Sequence, residues 1–129
     1  AGTGTTWLGL LKHARLKHCH IAAVAALHNI PALQALAHSS QHQHWQIIDH
    51  YQCGGFAKVN RELLQFWQRF EREQEIPLDP VYTAKMCFAI DEQIKQGMIK
   101  AGSRILSVHT GGLQGRRILA AKLDGLAMP

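Results

Sequence analysis

No run of apolar residues in this chain approaches the ~20 needed to cross a bilayer as a helix, so a membrane partner is not expected. Nothing near the start resembles a secretory signal, because residues 2–6 are polar and glycine-rich. Methionine is absent from position 1, where Ala1 stands, which points to a sequence that starts partway through a longer protein. Cysteine is scarce: Cys19, Cys53 and Cys87 are an odd number without paired spacing. That pattern suits a reducing cytoplasm better than a disulfide scaffold. An internal repeat is lacking too.

What is present bounds the rest. With 129 residues, the chain is one domain or part of one. Hydrophobic residues make up 47% of it, enough for a packed core and too many for a disordered segment. The formal net charge is +5, which raises the question of nucleic acid. The basic residues are scattered, however, through Lys12, Arg15, Lys17, Arg61, Arg69, Arg72, Arg104, Arg116 and Arg117, and no known nucleic-acid-binding motif accompanies them. Nucleic acid is therefore not the expected partner.

Along the chain, residues 1–6 form a glycine-threonine loop, and Leu8, Leu11, Ala14 and Arg15 follow at helical spacing. Residues 21–27 are an apolar run without alternation, the pattern of a strand buried on both faces. Asn29 and Pro31 break it; a helix is expected from 31 to about Ser40, then a strand over 45–49. Val59, Leu63, Phe66, Trp67 and Phe70 mark one face of the next helix. Asp79 can cap the helix after it, with Pro80 in the first helical position. Its expected apolar face runs through Tyr82, Met86, Ile90, Ile94 and Met98. Residues 105–109 form another candidate buried strand, leading into Thr110, Gly111 and Gly112. Short helix and coil are expected beyond. This alternation predicts an α/β domain with a largely parallel sheet and flanking helices. About three strands are too few to stand alone, so a partner or a missing N-terminal part should complete the sheet.

Three segments can carry chemistry. Gly2, Thr3, Gly4, Thr5 and Thr6 open a helix, where glycines let the backbone approach an anion and helix-start amides carry partial positive charge. Threonine hydroxyls add donors, so the segment reads as a phosphate cradle; a tight turn with threonine caps is the plainer alternative. It lacks the Gly-Lys-Ser/Thr of a Walker loop, and Trp7 breaks the dinucleotide pattern. Tyr82 and Thr83 stand in the first turn of a helix and can face a cleft, or be core and helix-start residues. Lys85 reads as a solvated helix lysine. His109, Thr110, Gly111 and Gly112 stand at the carboxyl end of a candidate strand, where open α/β sheets bind ligands. An ordinary glycine turn is equally compatible. Among the nine histidines, His42, His44 and His50 lie near Cys53, yet that spacing matches no standard zinc site and no metal is expected.

Taken in order, GTGTTWLGL, CGGFAKVNRELLQFW, IPLDPVYTAKMCFAIDEQIKQG and ILSVHTGGLQG resemble the 1-aminocyclopropane-1-carboxylate deaminase / D-cysteine desulfhydrase family. That resemblance implies a partial tryptophan-synthase-β-like domain (pyridoxal-phosphate fold type II). It implies pyridoxal 5'-phosphate as cofactor and a small amino-acid substrate. It further implies a homodimer for the full-length form. Gly2, Thr3, Gly4, Thr5 and Thr6 match the loop that holds the cofactor phosphate. Tyr82 matches an active-site tyrosine beside the cofactor ring, placed to contact substrate, and Thr110 matches the hydroxyl residue near the pyridine nitrogen. Phe56 stands where the family usually has a substrate-contacting tyrosine, so the hydroxyl is missing. The family's Schiff-base lysine lies upstream of the GTGTT-like loop, and no lysine here matches it. The chain alone is expected to be inactive, or a non-catalytic phosphate-ligand module.

The resemblance also separates two reactions. The deaminases carry Glu after the DPVY tyrosine and Leu in place of the HTGG threonine; this chain has Thr83 and Thr110, both bordering the cofactor. A neutral hydroxyl stabilises a protonated pyridine nitrogen less than a carboxylate does. D-cysteine loses a good leaving group, so a weaker electron sink suffices, and the pattern favours the desulfhydrase: D-cysteine to pyruvate, sulfide and ammonia. Deamination of 1-aminocyclopropane-1-carboxylate to 2-oxobutanoate and ammonia is the alternative.

Overall fold

The computed structural model describes residues 1–117, and the chain divides into two compact units, Ala1–Phe56 and Ala57–Pro129. The first unit is a small α/β layer. Helix α1 spans Thr5–Lys12, a 3-10 turn covers Ala14–Leu16, strand β1 is Ile21–Val24, α2 is Ile30–Ser40 and β2 is Trp45–Ile48. The two strands pair in parallel, Ile21 against Trp45 through Val24 against Ile48. Parallel pairing requires a crossover, which α2 supplies.

The core of this unit explains its sequence. Trp7, Leu11, Ile21, Ala23, Ala25, Leu33 and Ala37 are buried together. Trp7 and Leu11 are four apart and share one face of α1, as do Leu33 and Ala37 on α2. The Trp7 ring meets Trp45 edge-on at 6.0 Å, and its indole N–H donates to the Ile21 carbonyl at 3.4 Å. Alanines at 23, 25 and 26 let the helices approach the strand closely.

The second unit contains helices α3 (Arg61–Gln74) and α4 (Thr83–Lys95). Asn60 caps α3 by accepting the Leu63 amide at 2.9 Å. Leu63, Leu64, Phe66 and Trp67 form its buried stripe. Phe66 meets Phe88 of α4 at 5.4 Å between ring centroids.

Four expectations are corrected. First, α4 starts at Thr83 rather than Pro80, because the Asp79 carboxylate reaches three successive amides and holds residues 80–82 in a turn ahead of the helix. The N-cap residue is therefore Tyr82 and not Asp79, although the Asp79 carboxylate accepts the first helical amide, that of Thr83. Second, α4 does not bury the face through Met86, Ile90, Ile94 and Met98; it buries Ala84, Phe88 and Ala89. Two small alanines beside Phe88 allow the closer approach to α3, and Ile94 and Met98 stay 50% and 61% exposed. Third, Lys85 is fully buried, not solvated. Fourth, residues 105–109 make no ladder, and the sheet of the described residues has two strands. An extended segment becomes a strand only where another edge satisfies its backbone groups, and none here does so. Leu106 is consequently 87% exposed.

Candidate functional site

The first candidate site is the start of α1. Gly4 is its N-cap residue, with φ of +87°, and no side chain caps the helix. A β-carbon at Gly4 would lie 2.6 Å from Leu36 Cδ1 and 2.8 Å from Leu33 Cδ2, so the backbone angle favours glycine and both leucine methyls would have to shift to admit a side chain. The first amides of any helix lack intrahelical acceptors, so those of Thr5, Thr6 and Trp7 point out of the helix start. No acidic residue occupies this first turn. Thr3, Thr5 and Thr6 are exposed, and the Thr3 and Thr5 hydroxyls share a hydrogen bond at 3.1 Å. The Asn29 side-chain amide donates to the Gly2 carbonyl at 2.7 Å, tying the loop to the start of α2.

This arrangement fits a phosphate monoester. It offers several main-chain and hydroxyl donors, the positive end of a helix dipole, and no carboxylate to repel a dianion. In the sequence Asn29 signals only a strand break. Its role in holding Gly2 depends on a contact 27 positions away, for which local pattern carries no signal.

The second candidate site is organised around Asp79, which is 2% exposed. Its carboxylate accepts the Tyr82 amide at 2.6 Å, the Val81 amide at 3.2 Å and the Thr83 amide at 3.3 Å. In return the Thr83 hydroxyl accepts the Asp79 amide at 2.7 Å and donates to the Asp79 carbonyl at 3.2 Å. Thr83 is therefore engaged locally as a helix-start residue. Tyr82, immediately before it, is 39% exposed rather than core.

The turn over residues 109–112 closes onto the same segment. His109 Nε2 donates to the Pro77 carbonyl at 3.1 Å, which leaves Nδ1 to accept the Gly111 amide at 3.1 Å. Gly111 and Gly112 both have φ near +85°, which glycine adopts readily. A β-carbon on Gly112 would stand 3.7 Å from the Asp79 carboxyl carbon, and one on Gly115 would collide with Asp79 Oδ1 at 2.7 Å. The structure thus brings the turn carrying Thr110, itself exposed, against the segment that presents Tyr82 and Thr83.

Glu71 locks this corner together. Its carboxylate accepts Trp67 Nε1 and the Leu78 amide, each at 2.7 Å, and pairs with both terminal nitrogens of Arg116. Arg116 also donates to the Leu78 carbonyl at 3.1 Å and stacks over Trp67 at 5.4 Å. Burial pushes the Glu71 carboxyl up, but the hydrogen bonds from Arg116, Leu78 and Trp67 outweigh it and hold its pKa below the usual 4.5. In the sequence Arg116 stands out only as one of several scattered cations.

Phe56 lies in the first unit and is 59% exposed. Around it Cys53, Gly54, Gly55 and Ala57 all have positive φ, and for the two non-glycine residues that conformation is costly. Among the described residues no three His, Cys, Asp or Glu side chains gather as a metal site. His42 instead bonds the Cys19 carbonyl at 3.0 Å, and its ring meets His44 edge-on.

Comparison with known proteins adds relatives. No family model and no solved structure matches the chain. Over 65 residues it is 34% identical to a protein of Pyrococcus horikoshii that carries the provisional name 1-aminocyclopropane-1-carboxylate deaminase, covering 50% of this chain and 19% of that protein. A protein of Pyrococcus furiosus with the same provisional name matches with the same identity and coverage. The bifunctional D-cysteine desulfhydrase/1-aminocyclopropane-1-carboxylate deaminase, mitochondrial, of Arabidopsis thaliana is 36% identical over 74 residues, 57% of this chain and 18% of that protein. The aligned stretch therefore spans about a fifth of the length of these curated relatives.

Proposed function

We propose, from the chain's partial homology to 1-aminocyclopropane-1-carboxylate deaminase and D-cysteine desulfhydrase proteins, that it is a portion of a pyridoxal-phosphate enzyme of the D-cysteine desulfhydrase type. The observation that carries this reading is the start of α1: a left-handed glycine, an uncapped first turn without acids, and three exposed threonines. In this reading the amides of Thr5, Thr6 and Trp7 and the hydroxyls of Thr3, Thr5 and Thr6 hold the phosphate of pyridoxal 5'-phosphate. Gly2 and Gly4 let the backbone approach it.

When bound, the cofactor supplies an electron sink that acidifies the substrate α-hydrogen and lets a β-substituent leave. The resemblance assigns further roles to Tyr82, Thr83, Thr110 and Phe56. In this reading Tyr82 holds and moves a proton at the substrate; it is 39% exposed, and its amide is held by the Asp79 carboxylate. The Thr110 hydroxyl serves the pyridine nitrogen. Thr83 sets the start of α4 through Asp79, and in this reading borders the cofactor only from that fixed position. Phe56 offers an apolar contact to substrate without a hydroxyl. The substrate class is a small amino acid, D-cysteine, giving pyruvate, sulfide and ammonia. A homodimer in a reducing cytoplasm is the proposed setting for the longer protein.

A second reading is deamination of 1-aminocyclopropane-1-carboxylate, favoured by the names of the Pyrococcus relatives. The residues Thr83 and Thr110 favour the desulfhydrase.

The test has two arms. Binding of pyridoxal 5'-phosphate and of phosphate-free pyridoxal to the chain is compared by absorbance titration. The phosphate form should bind more tightly, and Thr5→Val should weaken it about tenfold, the loss of one hydrogen bond to a charged group. Equal binding of the two forms would remove the cradle. Borohydride reduction with pyridoxal 5'-phosphate should leave no lysine, Lys85 included, stoichiometrically labelled. One fully labelled lysine would show that the chain carries its own covalent site. Assaying the longer protein for sulfide from D-cysteine against 2-oxobutanoate from the cyclopropane substrate decides between the two reactions.

A further inference from the structure

His109 stands where two separate stretches of the second unit meet. Its partners have fixed roles: the Pro77 carbonyl can only accept, and the Gly111 amide can only donate. The two bonds, each 3.1 Å, therefore require the neutral ring with its hydrogen on Nε2. The other neutral tautomer, or the imidazolium, would set an N–H at Nδ1 against the Gly111 N–H. One ring thus reaches across 32 positions of chain on one side and two on the other.

What the ring joins bears on the site. Pro77 leads through Leu78 to Asp79, whose carboxylate holds the amides of Val81, Tyr82 and Thr83. Gly111 follows Thr110 directly. The approach to the turn offers no other anchor of this kind: residues 105–109 pair with no strand among the described residues, and Leu106, Val108 and Thr110 are exposed. Past the turn, Gly112 and Gly115 lie close to the Asp79 carboxylate, and Arg116 bonds the Leu78 carbonyl. Glycine contacts limit how near the turn comes, whereas a directional hydrogen bond also fixes how it is oriented.

We propose that His109 is a positioning residue: its Nε2-protonated ring sets where the Thr110 hydroxyl stands relative to Tyr82. Its purpose rests on the reading above, in which Thr110 serves the ring nitrogen of the cofactor and Tyr82 acts at the substrate. Groups that work together in that way must keep their spacing to within about 0.5 Å. Tyr82 is 39% exposed and Thr110 is exposed, so packing around the two side chains does not hold it. The backbone does, through Asp79 on one side and His109 on the other. His109 is itself exposed, so losing its bonds should free the turn without unfolding the unit.

The test uses NMR on the whole chain with the ring neutral. Long-range proton–nitrogen spectra should place the His109 hydrogen on Nε2. His109→Asn keeps an acceptor for the amide two residues on but falls short of Pro77. His109→Gln reaches Pro77 with an N–H but gives Gly111 no acceptor, and His109→Ala does neither. Gly111 amide exchange should stay near the parent rate in the asparagine variant and rise about fivefold in the other two, the loss of one hydrogen bond. The backbone dipolar couplings of Thr110 and Gly111 should fit the frame of α4 in the parent, shrink toward zero in the asparagine and alanine variants, and be partly rescued by glutamine. Urea midpoints should match the parent in all three. A hydrogen on Nδ1, or Thr110 couplings that fit α4 equally well in the alanine variant, would overturn the proposal. So would a fall in urea midpoint shared by all three variants, which would make His109 a residue of stability alone. None of these readouts uses the cofactor. Equal binding of pyridoxal 5'-phosphate and pyridoxal would remove the cradle and leave this tie standing, and unchanged couplings would remove the tie and leave the cradle.

Discussion

Replacing Glu71 by alanine should destabilise the second unit by about 3–4 kcal/mol, and the size follows from what is left behind. Trp67 and Leu78 are 4% and 1% exposed, so the indole N–H and the Leu78 amide would lose their acceptor where water does not reach. Each orphaned buried donor costs about 1–3 kcal/mol. Arg116 adds little, because its side chain is 36% exposed and keeps the Leu78 carbonyl and the Trp67 face. Glu71→Gln keeps an acceptor oxygen and should fall between parent and alanine variant. Urea unfolding, followed by the Trp67 indole resonance, should place the alanine midpoint about 1.5–2 M lower at a typical slope near 2 kcal/mol/M. The pH dependence has a definite sign. The Glu71 carboxyl is held below 4.5 in the folded state, so its contribution is complete above that value and is lost as pH falls through the lower folded pKa. Glu71→Gln should remove this acid-side loss. An alanine variant within about 0.5 kcal/mol of the parent, the ordinary range for a surface change, would refute the hub.

Three other outcomes follow from the geometry. Gly4→Ala combines a left-handed alanine with contacts under 3 Å to Leu33 and Leu36; it should cost about 2–4 kcal/mol and lower the melting temperature of the first unit. The Ala1 amine is lowered from 8.0 to about 6, so protonating the unfolded form first should make the first unit progressively less stable as pH drops from about 8 to 6, then level off. Denaturation at pH 8.5 and pH 6 checks this, and acetylation of Ala1 should flatten the difference. Finally, Ile94 near the end of α4 and Met98 just beyond it are 50% and 61% exposed; Ile94→Glu with Met98→Lys should cut binding of the apolar dye ANS without lowering stability by more than about 0.5 kcal/mol.

Much of the framework was legible. Leu63, Phe66 and Trp67 repeat at helical spacing and are buried as that spacing requires; in the first helix Leu11 is buried, but its partner is Trp7 rather than Leu8, and Ala14 and Arg15 lie beyond the helix in a 3-10 turn. The unalternating run around Ile21 reads as a parallel strand because apolar side chains on both faces have no other use in a small sheet. The failures share one cause. Residues 105–109 carry the same signal as β1, but pattern specifies only that a segment suits burial, not which neighbour provides it. On α4, two apolar stripes compete, Ala84 with Phe88 against Met86 with Ile90 and Ile94; packing on Phe66 decides for the first. Lys85 shows the same limit, since a charged residue in a helix gives no local sign of being enclosed. At the candidate site, the glycines and threonines were visible as residue types. Asn29, Glu71 and Arg116 were not, because each acts across 27 to 45 positions of chain.

The tight seat of Gly4 on Leu33 and Leu36 has a thermodynamic consequence. Because α1 begins where α2 supports it, an anion captured there is bound only by the assembled unit and not by the open chain. Mass action then makes the ligand a folding agent: at a hundred times its dissociation constant it adds about 2.7 kcal/mol, a large share of what so small a body has. The melting curve of residues 1–56 would accordingly climb with monoester concentration, turning heat resistance into a direct gauge of occupancy.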